Sequence, residues 1–97
     1  MEYNVILSPK AFKDIDKALD YYAVSPSAIL NFNKELNQAY QSLSLNPHFR
    51  IRYQNVIGFL LKKFPFILLY KLDETTKSVL IYSVFNTYLN PKKYPKK

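Results

Sequence analysis

Residues 66–85 read FILLYKLDETTKSVLIYSVF, and the fold turns on how this stretch is parsed. Phe66 to Leu72 is apolar at nearly every position, which fits a central strand buried on both faces. Asp73-Glu74-Thr75-Thr76 is a polar turn, and Ser78 to Phe85 is the last strand. Upstream, Arg50-Ile51-Arg52-Tyr53-Gln54 alternates charged and apolar residues, as a half-exposed strand does. Gly58, the only glycine, reads as a turn or bulge near Asn55, and Phe59 to Lys63 reads as extended.

Before Pro47 the period is helical. Ser8-Pro9 and Ser25-Pro26 both suit an N-cap followed by a first helical residue, where proline's missing N–H is unpaired in any case. Ala11, Ile15, Ala18 or Leu19, and Tyr22 form one apolar stripe. Ile29, Phe32, Leu36, Tyr40 and Leu43 form another, and Asn46-Pro47 ends it. The short link between them predicts an antiparallel helix pair. Tyr3 to Leu7 is a short β-prone start. The order β-α-α-β-β-β implies a single α+β domain over residues 1–97, with a helix hairpin packed on a mainly antiparallel sheet and residues 92–97 as a basic tail.

At 97 residues, with 48% apolar and 22% charged residues, the chain has the balance of a globular domain. It has no cysteine and one histidine, so disulfides and thiolate metal sites are excluded and neither a metal nor a cofactor is expected. No signal peptide or membrane-length apolar run is visible, and a cytoplasmic protein is expected. The net charge of +7 is unevenly placed. Residues 1–43 carry four lysines against five acids, whereas residues 44–71 hold Arg50, Arg52, Lys62, Lys63 and Lys71 with no acid. Lys92, Lys93, Lys96 and Lys97 close the chain. Such a surface suits a polyanion or an acidic protein segment, or is simply a solubilising face.

The ordered set of segments resembles the RelE/ParE superfamily of bacterial toxins from type II toxin–antitoxin systems. The resemblance rests on Ala11 and Asp14, Asn46-Pro47, Ile51-Arg52, Lys63-Phe64-Pro65-Phe66-Ile67-Leu68-Leu69-Tyr70, Val79 to Phe85, and Asn90-Pro91-Lys92-Lys93-Tyr94. It implies a cognate antitoxin that wraps a helix and an extended segment around the toxin. It also implies an essential target, which is DNA gyrase in one branch and translated mRNA on the ribosome in another.

Cutting RNA through its own 2′-hydroxyl needs a proton acceptor, cations for the phosphate and a donor for the leaving oxygen. By resemblance, Arg52, Lys63 and Tyr94 are the remaining catalytic candidates. The apolar run Phe66-Ile67-Leu68-Leu69 lacks the arginine of nuclease members. Asn86 stands where many relatives have a histidine, and asparagine does not exchange a proton near neutral pH. A protein-directed toxin needs only a complementary surface. The ParE-like, gyrase-directed branch is therefore the first expectation for this plasmid-stabilisation module. A ribosome-dependent endoribonuclease or a non-toxic nucleic-acid-binding domain are the alternatives, and enzymatic activity is left open.

For target or nucleic-acid binding the candidates are Arg50, Arg52, Lys62, Lys63, Asn86, Lys92 and Lys93. Each has a structural reading beside the functional one. Asn86 can end a strand by bonding its own backbone. Lys62 and Lys63 can protect an edge strand. Lys92 and Lys93 can belong to a solvated tail, and Tyr94 can pack on the sheet. His48 reads as an exposed loop residue. Asp14, Asp16 and Asp20, interspersed with lysines, read as solvated. Tyr22, Tyr40 and Tyr70 read as core.

Overall fold

The computed structural model describes residues 2–49, 51–53 and 55–88. Arg50, Lys92, Lys93 and Tyr94 lie outside the described residues, as does the expected tail, and Arg52 is described in its backbone alone. Strand β1 (Asn4–Leu7) leads into helices α1 (Pro9–Tyr21) and α2 (Pro26–Leu45). Strands β2 (Ile51–Tyr53), β3 (Val56–Leu60), β4 (Phe66–Asp73) and β5 (Ser78–Asn86) follow. They form one sheet in the order β1-β5-β4-β3-β2, in which β1 runs parallel to β5 and the other neighbours are antiparallel.

Both Ser-Pro starts act as read. Ser8 Oγ accepts from Ala11 N at 3.0 Å and Ser25 Oγ from Ala28 N at 3.3 Å, each filling an orphan donor of the first helical turn. The helices bury Ala11, Ala18, Phe32, Leu36, Ala39 and Leu43 against Phe66, Leu68, Tyr70, Val79, Ile81 and Val84. Ile67 and Leu69 alternate to the other face, where Val56 and Phe85 join them. Strand β4 is therefore buried on both sides, as its uninterrupted apolar run requires. At the end of α1, the rings of Tyr22, Phe32, Phe64 and Phe66 stack edge-on or tilted, with centroids 5.2–5.7 Å apart. Tyr70, fully buried, donates its hydroxyl to Pro47 O at 2.7 Å and so ties the exit from α2 to the sheet. Burial pushes its phenol far above the ordinary range, so it stays a donor.

The segment after Pro47 departs from expectation. Residues 51–60 form a hairpin of two strands, which adds one strand to the β-α-α-β-β-β order. The turn falls on Asn55 itself, at φ 67, a left-handed conformation that asparagine tolerates. Gly58 is then free to sit inside β3, paired with Leu69, rather than at the turn. Strand β3 stops at Leu60, so Lys62 and Lys63 lie in a bend and not on an edge strand. Glu35 holds that bend by accepting from Lys63 N at 2.9 Å, and Pro65 within it has no N–H to offer a ladder.

Strand β5 carries a bulge that fixes α1. Its register with β4 shifts between Leu69↔Ser83 and Tyr70↔Ile81, leaving Tyr82 as the extra residue. Ser8 Oγ donates to Tyr82 O at 2.7 Å, and just beyond the bulge Asp14 Oδ2 accepts from Ser83 Oγ at 2.6 Å and Val84 N at 3.1 Å. Asp14 is thus a partly buried fastener, 15% exposed and also paired with Lys10 at 3.1 Å, and not the solvated acid that its lysine-rich neighbourhood suggested.

Candidate functional site

The eight residues of β4 span roughly 25 Å. Its two ends carry different chemistry. At the β4–β5 turn, the Glu74 carboxylate accepts from Tyr3 OH at 2.7 Å and Lys77 Nζ at 3.3 Å, and its other oxygen lies 3.1 Å from His48 Nε2. Lys77 Nζ also stands 5.3 Å from the Tyr3 ring centroid. The hydrogen bonds from Tyr3 and then His48 hold the Glu74 carboxyl down at about 2, while accepting carboxylate oxygens push the Tyr3 phenol and Lys77 ammonium up. His48 is an exposed loop residue, as expected, and its ring is engaged with Glu74.

The far end is open. Strand β5 finishes at Asn86, paired with Phe66, and Thr87 N donates to Pro65 O at 2.8 Å. Asn86 Oδ1 accepts from Tyr88 N at 2.9 Å, so the side chain does close its own strand end. Lys62 and Lys63 project from the adjoining bend with no ion pair among the described residues. The structure thus brings Lys62, Lys63 and Asn86 to one end of the sheet, whereas Lys71 lies half-buried along β4. The nuclease-type arginine position in Phe66-Ile67-Leu68-Leu69 is wholly apolar and buried.

Beside Asn86 opens a cleft of about 420 Å³. Lys10, Asp14, Lys17 and Tyr21, one stripe of α1 at helical spacing, form one wall, and Asn86 and Tyr88 form the other. Tyr22, Pro65 and Phe66 also line it. Desolvation, followed by the neighbouring phenols of Tyr21 and Tyr88, pushes the Tyr22 phenol up, which keeps it protonated. A second groove of about 390 Å³ lies between α2 and β3, with Leu45, Phe59, Leu60 and Leu61 on its walls. Among the described residues, no group of three or more His, Cys, Asp or Glu could hold a metal ion. No described helix is long and apolar enough to cross a membrane.

A family model for the ParE toxin of the type II toxin–antitoxin system parDE matches residues 5–87. The chain belongs to the ParE toxin family. Its fold is similar to that of a chain in the chromosomal ParDE system from P. aeruginosa, with a TM-score of 0.75 at 19% identity, covering 88% of this chain and 96% of that one. A chain of the RelBE2 toxin–antitoxin complex from Mycobacterium tuberculosis superposes with a TM-score of 0.60 at 23% identity, covering 89% and 99%. The chain matches no curated protein by sequence. The matched span of this ParE-family toxin includes both helices and the whole of the sheet from Val5 onward. It also contains Lys62, Lys63 and Asn86.

The α1 wall of the cleft escaped the sequence reading, although its signal was present. Lys10, Asp14, Lys17 and Tyr21 recur at helical spacing on a face that the apolar stripe leaves free. Nothing local, however, pairs that face with a strand end 69 residues away.

Proposed function

We propose that this toxin acts by binding an essential protein target, DNA gyrase, and is neutralised by a cognate antitoxin within a plasmid-stabilisation module. The observation that carries this reading is the open sheet end. It presents Lys62 and Lys63 without ion partners among the described residues, next to an Asn86 that cannot shuttle a proton. Complementary charge steers a partner and fixes its register, and it needs no acid–base pair.

The groove between α2 and β3 suits the antitoxin. Leu45 and Leu60 are exposed large apolar side chains there, and they suit the aliphatic anchors of a partner segment. Acidic residues on the same antitoxin would meet the cations of residues 44–71.

Purified toxin titrated into a gyrase supercoiling reaction should inhibit supercoiling or trap cleaved DNA, and an acidic antitoxin encoded beside it should reverse the effect. Normal supercoiling at saturating toxin overturns the gyrase reading. Primer extension on translated mRNA, showing cuts at fixed codon positions, would move the toxin to the endoribonuclease reading.

A further inference from the structure

The cleft between α1 and the end of β5 differs in kind from the groove between α2 and β3. The groove sets Leu45, Leu60 and Leu61 among polar side chains, and those leucines suit an aliphatic anchor from a partner helix or strand. The cleft contains no leucine, isoleucine or methionine. Its rim is aromatic and cationic: Tyr21 is 78% exposed, Tyr88 is 85% exposed, and Lys17 lines the same cleft. Two ammonium groups face it against a single carboxylate, Asp14, which already accepts from Ser83, Val84 and Lys10. Lys10 is paired with Asp14 at 3.1 Å, so Lys17 is the lining cation with no ion pair among the described residues, and large rings left in water near it suit a flat, anionic ligand.

We propose that this cleft holds a nucleobase of single-stranded nucleic acid. The base stacks against Tyr21 and Tyr88, and Lys17 takes an adjacent phosphate. The side-chain amide N–H₂ of Asn86, whose oxygen is committed to Tyr88 N, is the donor for the base edge. Stacking of this type tolerates any base, because every base has a π-face. The site is independent of which macromolecule the toxin poisons, since the cleft lies on the α1 side of the sheet end and leaves Lys62 and Lys63 to the target.

The test is fluorescence anisotropy of the purified toxin with end-labelled single-stranded oligothymidylate and oligouridylate across a salt series, with duplex DNA and polyglutamate as controls. Both single strands should bind, and binding should quench the tyrosine emission of a chain that has no tryptophan. The exposed double change Tyr21→Ala with Tyr88→Ala should weaken binding by about tenfold or more at every salt concentration. Tyr21→Phe with Tyr88→Phe should bind as the unaltered chain does, because the rings remain. Lys17→Gln should flatten the log–log salt slope by about 0.7, the loss of one phosphate contact on a single strand. Thermal melting confirms that the variants are folded. Unchanged affinity in the double alanine variant, equal binding of duplex, or binding of polyglutamate in place of the oligonucleotides overturns the proposal. Gyrase inhibition is read separately, so either idea can fail alone.

Discussion

The two ends of the β4–β5 hairpin are built from similar residues and put them to opposite uses. At the turn, Tyr3, His48, Glu74 and Lys77 satisfy one another. At the open end, Lys62, Lys63, Tyr21 and Tyr88 face water; Glu35 fixes the lysine bend, Pro65 and Asn86 fix the segment that carries Tyr88, and Tyr21 stands on α1. Charge density alone does not separate the two ends. What separates them is whether each charge is already paired, and an unpaired cluster on a rigid support is what a binding partner can use.

If the open end is held by the groups that fasten α1 and the strand ends to one another, disturbing those should cost most. Asp14→Ala strands the Ser83 hydroxyl and the Val84 N–H at the bulge, and a loss of about 2–4 kcal/mol is expected. Urea denaturation should show it as a lower midpoint at an unchanged slope. Asp14→Asn, which keeps an acceptor, should recover part of the loss. If Asp14→Ala unfolds like the unaltered chain, the bulge is not what fastens α1.

Next in size is Tyr70→Phe, which removes one of the two donors to the buried Pro47 carbonyl and leaves Phe49 N at 3.1 Å. About 1–2 kcal/mol is expected in the same assay, without change in target binding, because Tyr70 reaches neither end. Smaller still is the contribution of the paired end. Glu74 has a folded value of about 2 against the ordinary 4.5. A depressed carboxyl stabilises the fold above its ordinary value, and that stability is lost as pH falls from 4.5 towards 2. Glu74 is exposed, so solvent screens the effect and keeps it modest. Glu74→Gln should therefore lower stability slightly above pH 4.5, where the carboxylate is charged, leave it unchanged near pH 2, and so flatten the acid limb in that window, as followed by circular dichroism. An acid limb identical to that of the unaltered chain would mean that the turn cluster contributes nothing.

Local chemistry was legible from sequence wherever it acts over a few residues. The Ser-Pro starts, the apolar stripes of α1 and α2, and the doubly buried run in β4 all follow from neighbours within two helical turns or one strand. The failures are of other kinds. Asp14 looked solvated because its partners, Ser83 and Val84, are remote in sequence and meet it only through a bulge that no residue type announces. Gly58 drew attention as the one glycine, while Asn55 could take the positive φ without it. Lys62 and Lys63 are visible in the sequence as cations, but their place in a bend depends on Glu35 from α2. The aromatic cleft needed three separate elements, α1, the bend before β4 and the end of β5, to be brought together. Family resemblance supplied the fold and the toxin assignment. It could not supply the pairing state of individual charges, which only the packed structure contains.

The central claim is that Lys62 and Lys63, which have no ion pair among the described residues, and not the paired cluster at the turn, engage the proposed target. The most direct measurement compares the toxin concentration that half-inhibits gyrase supercoiling for the unaltered chain, for Lys62→Gln with Lys63→Gln, and for Glu74→Gln. The account predicts that the double lysine variant, equally stable, needs about tenfold more toxin or greater, whereas Glu74→Gln inhibits as the unaltered chain does. Full potency in the double lysine variant, with potency lost in Glu74→Gln, would contradict it.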